Sequence, residues 1–360
     1  MDARTEPLVS GEIAMLHSYD ILRQHEEVWD LYTRKEEYSP QQLDLHGRFP
    51  YAHCTHRNIL EPTVSKYLMD NGLDVEYPGD KQFAVCLTHD VDEIYPSLNH
   101  TLLSSLTCLK GLNFRGFKKQ VSWKLHGKEE SPYRNFEEIM DLEEEYGACS
   151  SFYFLATNSD ITRFRYNIED LESELGQITD REWEVGLHGG YYAYNNLEEI
   201  LREKNRLEKV LGKKVIGYRN HFLRFQVPDT WEKLATAGFG YDTTLGYSDM
   251  VGFRNGMCHP YLPYNLHTDR EVNILEIPMA IMDDTLFESA PSYEKAWMLA
   301  KRLIDTVALY HGVICLNWHS ESFNCPFKKM REIMYNDILE YCSSKNAWMT
   351  SGEKILRWWS

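Results

Sequence analysis

Residues Cys86 to Tyr95 read CLTHDVDEIY. The apolar run Phe83 to Leu87 leads straight into Thr88, His89, Asp90, Val91 and Asp92. A short run of this kind, entered from the turn cluster Tyr77, Pro78, Gly79 and Asp80, reads as a buried strand. Two carboxylates sit one residue apart where that strand surfaces. Buried charge is costly unless it is paired or coordinates an ion.

Outward from this stretch, short apolar strands alternate with helices. Asn135–Tyr146 carries Phe136, Ile139 and Met140 on one side and Gly147 as its stop. Ser150–Leu155 and Trp183–His188 read as strands. Asn196, followed three residues later by Glu199, has the arrangement of a capping box. It opens a helix with Leu197, Ile200, Leu201, Leu207, Val210 and Leu211 as its stripe and Gly212 after it. Val215–Arg219 reads as a strand, Pro228–Ala237 as a helix, Phe239–Thr243 as a strand and Ile274–Ile281 as a long apolar strand. Pro291–Leu309 is helical in period, Val313–Trp318 is a strand, and a helix follows around Lys328–Tyr341.

Strands alternating with helices lie parallel and are joined by crossovers. About seven such units over ~280 residues fit one barrel-like sheet. The expected fold is therefore α/β: a distorted (β/α)7 barrel of mostly parallel strands over residues 80–360, with an insertion at about 93–132. Residues 1–79 are expected to form a helical extension packed on the barrel rather than folding alone. Within them, Ser18–Glu36 and Leu60–Gly72 have helical spacing, and Arg48, Phe49, Pro50 and Tyr51 precede the second.

Composition excludes some partners. The 360 residues hold 38 basic and 55 acidic side chains, a net charge of −17. That argues against nucleic acid, which selects a basic face. Residues 1–20 are polar and acidic and lack the apolar segment of a targeting signal, and no apolar run is long enough to span a bilayer. The eight cysteines are scattered with no CxxC pair, as expected of reduced, buried thiols in a cytoplasmic protein.

The chemistry falls at strand ends. In a parallel barrel the carboxyl ends of the strands converge on one face. Those ends deliver Asp90 and Asp92, then His188, then Arg219 and His221, then Asp242, then His319. A single histidine after a strand is usually structural. Five strands each presenting an ionisable group point to a site. Carboxylate and imidazole together suit zinc or another divalent first-row metal. The alternative is a buried polar network that only locks the strand ends, which is expensive when partly satisfied.

The order of these motifs resembles the NodB-homology polysaccharide deacetylases, in the variant branch whose first motif is His-Asp-Val-Asp. The resemblance runs from about Lys81 to Ser320, interrupted between Glu93 and Pro132. It implies Asp90 as general base, Asp92 and His188 as metal ligands, Arg219 as the group that keeps Asp90 ionised and His319 as general acid. The family's second motif carries a further histidine four residues on, where this chain has Tyr192. A catalytic zinc ion commonly takes three protein ligands, so a third donor is needed. His221 is the first candidate, His89 the second, and Tyr192 occupies the usual place.

The resemblance implies a divalent metal cofactor, zinc foremost with cobalt, nickel, manganese or iron as options. It also implies an N-acetylated sugar or oligosaccharide as substrate. Two other readings accompany it: a hydrolase of a small non-sugar amide, and a glycan-binding protein that kept the barrel without the chemistry. Tyr191, Tyr192 and Tyr194 could stack on a sugar or simply pack. Arg224 could meet an anionic group or a surface acid. The loop Gly252–Gly256 could line the cleft, and Asp242 could bond Arg219 or cap a turn. The remaining histidines read as ordinary surface or core residues.

Overall fold

Every residue of the strand Ala84–Val91 (β1) is buried, on both faces. This is what a central strand of a parallel sheet requires, with helices covering one side and the barrel interior on the other. The computed structural model describes residues 18–161 and 166–359. The expectation of a polar start without a targeting signal, and His17, fall largely or wholly outside them.

The strands that follow are Ser151–Leu155 (β2), Glu184–Gly189 (β3), Gly217–Asn220 (β4), Tyr241–Asp242 (β5), Tyr264–Asn265 (β6), Arg270–Glu271 (β7), Leu275–Glu276 (β8), Met279–Met282 (β9), Val313–Asn317 (β10) and Trp348–Thr350 (β11). The main sheet has the order β8-β5-β4-β3-β2-β1-β10-β9, with β11 also paired to β1. All its pairings are parallel. Its two edges, β8 and β9, are neighbours in sequence, separated by Ile277 and Pro278. So short a link cannot bridge a flat eight-strand sheet whose strands lie about 4.8 Å apart. The sheet must curl until its edges nearly meet. The fold is the expected distorted (β/α)7 barrel.

The long apolar strand expected over Ile274–Ile281 is instead two short ones. β8 pairs with β5 and β9 with β10. Pro278 has no N–H to give a ladder and breaks the run. Between β5 and β8 the chain makes no helical crossover. A long loop and the hairpin β6–β7 take its place.

Elsewhere the helical reading holds. Asn196 caps Leu197–Leu211 by accepting from the Glu199 amide at 3.2 Å, and Gly212 closes it in the left-handed region. Ser292 caps Tyr293–Leu309. The stretch 93–132, expected as a poorly patterned insertion, contains two helices, Leu98–Lys110 and Phe114–His126. The helix expected around Lys328–Tyr341 spans Lys329–Ser344, and past it lie β11 and the helix Gly352–Trp359, which the sequence reading did not reach. The amides of Gly352 and Glu353 donate to Ser151 Oγ at 2.9 Å and Glu184 Oε2 at 2.8 Å. That final helix therefore seals the end of the barrel opposite the strand carboxyl ends.

The barrel interior is filled by inward side chains in layers. Ser151 Oγ and Tyr241 Oη donate to Glu184 at 2.6 and 2.7 Å, and Tyr153 Oη donates to Tyr241 Oη at 2.9 Å. Gly186 and Gly217 lie in the same row as these rings. A Cβ on either would strike Tyr153 or Tyr241. The absence of a side chain at these two positions lets the tyrosines fill the interior.

Residues 18–79 lie against the barrel. Val64 and Ser65 donate their amides to Gly256 O, and Tyr32 Oη donates to Leu262 O at 2.6 Å. Glu37 sits between the buried guanidinium groups of Arg34 and Arg254 at 2.7 and 2.9 Å. The loop Gly252–Gly256 is consequently buried beneath this segment, not on the cleft as the sequence reading allowed. All eight cysteines are buried and free. No helix among the described residues is long and apolar enough to cross a membrane.

Candidate metal and catalytic centre

Alternation along β1 sorts its polar residues. Successive side chains of a strand point to opposite faces, so Thr88, Asp90 and Asp92 face the barrel while His89 and Val91 face the helices. The registers Thr88–Asn317 and His188–Arg219 place those pairs side by side on the inner face. His89 accordingly leaves the site. Its ring nitrogens bond Trp318 O at 2.8 Å and Glu143 Oε1 at 2.9 Å, and it stacks on Phe152. Tyr192 is 53% exposed and also stands apart. Neither alternative third donor is near Asp92.

Three imidazoles converge on Asp92 through Nε2. His188 lies 3.1 Å from Oδ1, while His221 and His319 lie 3.5 and 3.8 Å from Oδ2. The Nδ1 atom of each ring is held from behind: His188 by Arg219 O at 3.0 Å, His221 by Asp160 at 3.0 Å and His319 by Asp283 at 2.6 Å. Such bonds fix ring orientation and tautomer. The ligand atoms of Asp92, His188 and His221 all lie within 4.8 Å of one another. His188 Nε2 and Asp92 Oδ1 are buried and have no hydrogen-bond partner. Buried polar atoms without partners call for an explanation, and two of them facing one another with a third donor beside them fit a divalent cation.

Asp90 is built differently. Its Oδ1 accepts from Arg219 Nη1 at 3.1 Å and its Oδ2 from Asn317 Nδ2 at 2.7 Å. Arg219 is wholly buried and also donates to Thr88 Oγ1 at 2.7 Å and Thr243 O at 3.3 Å. Burial alone would raise the Asp90 pKa, but His188, Arg219 and His319 together bring it below the usual carboxylate value. Asp242 does not pair with Arg219. It bonds Thr244 Oγ1 at 2.5 Å, the local role.

His319 faces a carboxylate that favours its protonated form. Burial would lower its pKa, but the Asp283 carboxylate raises it well above the ordinary histidine value. Asp283 is itself steadied by the Ser322 hydroxyl and by Arg331.

The cleft above these groups has a volume of about 180 Å³. Asp90, Asp92, His188, His221 and His319 form its floor; Arg48, Phe222, Leu223, Met282 and Asp284 form its walls. Phe222 and Leu223 both have positive φ, 61° and 51°, unusual for side chains of that bulk. They follow His221 directly and turn its backbone over the cleft. Arg48 Nη1 donates to Phe222 O at 2.8 Å, so the segment preceding the barrel contributes a wall of the site.

The structure thus gathers the six residues to which the sequence reading gave catalytic or metal roles, Asp90, Asp92, His188, Arg219, His221 and His319, and leaves out the strand-end residue Asp242. Sequence reasoning missed Asp160, Asp283, Asp284 and Asn317. The same strand-end rule applied past β2 and β9 would have reached Asp160, Asp283 and Asp284. Arg224, read from sequence as meeting either an anionic group or a surface acid, has its guanidinium taken up by neither. It bonds His46 O and Tyr191 O, each at 2.7 Å, and lies over the rings of Tyr191 and Tyr194.

No protein-family model and no curated protein sequence matches the chain. Solved structures do. A Mycobacterium smegmatis protein carrying the provisional name of polysaccharide deacetylase superposes with a TM-score of 0.53 at 19% identity, over 79% of this chain and 92% of its own. The Puue allantoinase superposes with a TM-score of 0.52 at 15% identity, over 89% of this chain and 97% of its own. At such identities the likeness is one of fold.

Proposed function

We propose that this chain, which shares the fold of the NodB-type polysaccharide deacetylases, is a metal-dependent amide hydrolase that removes the acetyl group from an N-acetylated amino sugar. The observation that carries the reading is the pair of unpartnered buried atoms, Asp92 Oδ1 and His188 Nε2, with His221 Nε2 beside them.

Asp92, His188 and His221 would hold the ion. Zinc is the first choice for one carboxylate and two imidazoles, and cobalt, nickel, manganese or iron suit the same donors. When bound, such an ion polarises an amide carbonyl and lowers the pKa of water.

The chain's own groups supply the proton traffic. Asp90, kept ionised by Arg219 and oriented by Asn317, takes the proton of the attacking water. The water oxygen adds to the carbonyl carbon first, and the C–N bond breaks in the tetrahedral adduct that results. His319, charged because of Asp283, gives its Nε2 proton to the departing nitrogen. Acetate and a free amine result. Phe222, Leu223 and Met282 offer an apolar wall for the acetyl methyl. A cleft of about 180 Å³ holds the acyl group but not a whole oligosaccharide, so the sugar would rest on its rim. The cytoplasmic setting stays part of this proposal, supported by eight buried cysteines with no CxxC pair.

The cleft's small volume also favours a second reading, hydrolysis of a compact non-sugar amide. A panel of N-acetylated sugars, ureides and small amides, scored for acetate and ammonia, separates the two. Asp90→Asn should abolish product release while the protein still binds one equivalent of metal. Full activity in that variant would remove Asp90 as base. A parent protein that binds no stoichiometric metal would support the glycan-binding alternative instead.

A further inference from the structure

The two helices between β1 and the rest of the barrel are built the wrong way round for a water-facing surface. In Leu98–Lys110 the buried residues are Thr101, Ser104, Ser105 and Cys108. The leucines point outward: Leu98, Leu102, Leu106 and Leu109 are 68, 62, 55 and 40% exposed. Their spacing puts them on one helical face. Leu112 and Phe114, at the turn into the second helix, are 74 and 66% exposed, and Leu125 near its end is exposed too. An apolar ridge of this size on a folded protein marks an interaction surface.

Charge identifies what it fits. Residues 98–128 contain no aspartate or glutamate and six cations: Lys110, Arg115, Lys118, Lys119, Lys124 and Lys128. They sit in a chain whose net charge is −17. Lys119 and Lys128 pair with Glu138 and Asp170, while Lys110, Arg115 and Lys118 project from the exposed surface. Lys124 lies over the ring of Trp123. Leucines on an outer helical face, edged by lysines and arginine, form a basic amphipathic element. Such an element lies in the interface of an anionic bilayer, apolar face down and cations toward the headgroups.

We propose that the helical pair 98–126 docks this protein on an anionic lipid surface. The pair leaves the barrel just past Asp92, the candidate metal ligand, so docking sets the rim of the cleft close to the bilayer. An amphiphilic substrate, with its polar head carrying the amide and its tail in the membrane, could then reach the site without leaving the lipid. This last step rests on the hydrolase reading; the docking itself does not.

The test uses the full chain and no substrate: flotation with vesicles of phosphatidylcholine alone or with about a third phosphatidylglycerol. The parent should float with the anionic vesicles and not with the neutral ones. Leu102→Gln with Leu106→Gln, and separately Arg115→Glu with Lys118→Glu, should each weaken partitioning about tenfold or more. Leu112→Gln, in the turn, repeats the apolar test outside any helix. Absence of binding to anionic vesicles overturns the proposal, as does equal binding to both vesicle types. Binding indifferent to the leucine changes overturns it by reducing the contact to charge alone. A dimer in solution that the leucine changes dissociate, without flotation of the parent, would assign the ridge to a second copy of the chain.

Discussion

His319 Nδ1 lies 2.6 Å from Asp283 Oδ1. This bond points the other ring nitrogen into the cleft, and the carboxylate raises the imidazole pKa well above its ordinary value. Asp283 comes from the end of β9 and His319 from the end of β10, neighbouring strands, so the proposed general acid and the carboxylate behind it are positioned by sheet pairing.

Replacing Asp283 by Asn should therefore lower kcat by about 10²–10⁴ with little change in KM. Removing the carboxylate lowers the His319 pKa, so the acid loses its proton at lower pH. The alkaline limb of the kcat profile should move toward lower pH, as pH–rate measurements on the variant would show. An unmoved limb with reduced kcat would mean that another group donates the proton.

Metal content should depend on His221 and on the carboxylate behind it. His221→Ala should bring the bound ion below one per chain by elemental analysis. Asp160→Asn keeps the ligand but loosens its ring, and should weaken affinity by about 10–100-fold in competition with a chelating dye. Unchanged stoichiometry in His221→Ala would move the third ligand elsewhere.

Arg219 links structure and chemistry. Arg219→Met would leave Asp90 buried without its cation and Thr88 Oγ1 and Thr243 O without their donor. The expected cost is about 3–5 kcal/mol of unfolding free energy, read by urea denaturation. Thr88→Val should cost only about 1 kcal/mol.

His259 should make the protein acid-sensitive. It is fully buried, and burial pulls its pKa down to about 4; it contacts Ser65 Oγ at 2.9 Å and His311 O at 3.2 Å. Below its unfolded pKa, near 6.5, the unfolded chain takes up a proton that the folded one resists until about pH 4. Stability from this group is complete above about pH 6.5 and falls by roughly 3 kcal/mol as pH drops to 4. The buried carboxylates Glu184 and Glu203, each raised to about 7 by burial, act in the opposite sense. The comparison with His259→Gln isolates the histidine. The gap between parent and variant in unfolding free energy should shrink by that amount from pH 7 to pH 4. A constant gap would show that His259 does not titrate with folding.

Much of the centre was legible because strand periodicity fixes which residues share a face. Asp90 with Asp92, His188, Arg219 and His319 could be placed at carboxyl ends from apolar runs alone. His89 shows the limit. It stands beside Asp90 in sequence, yet the two-residue period sends it to Glu143 and Tyr335, among the helices. Ile274–Ile281 failed in another way: composition said strand, and Pro278 divided it between two edges of the sheet.

The sequence by itself determined the alternation of strands and helices, the barrel class and the polar residues at strand ends, because those follow from local periodicity and short-range chemistry. Tertiary structure alone chose His221 over His89 and Tyr192 as the third donor, brought Asp160 and Asp283 behind their histidines and set Arg48 in the cleft wall. Those contacts join residues many tens of positions apart. Their formation depends on how the sheet curls and how the preceding segment packs, and neither is written in any local pattern.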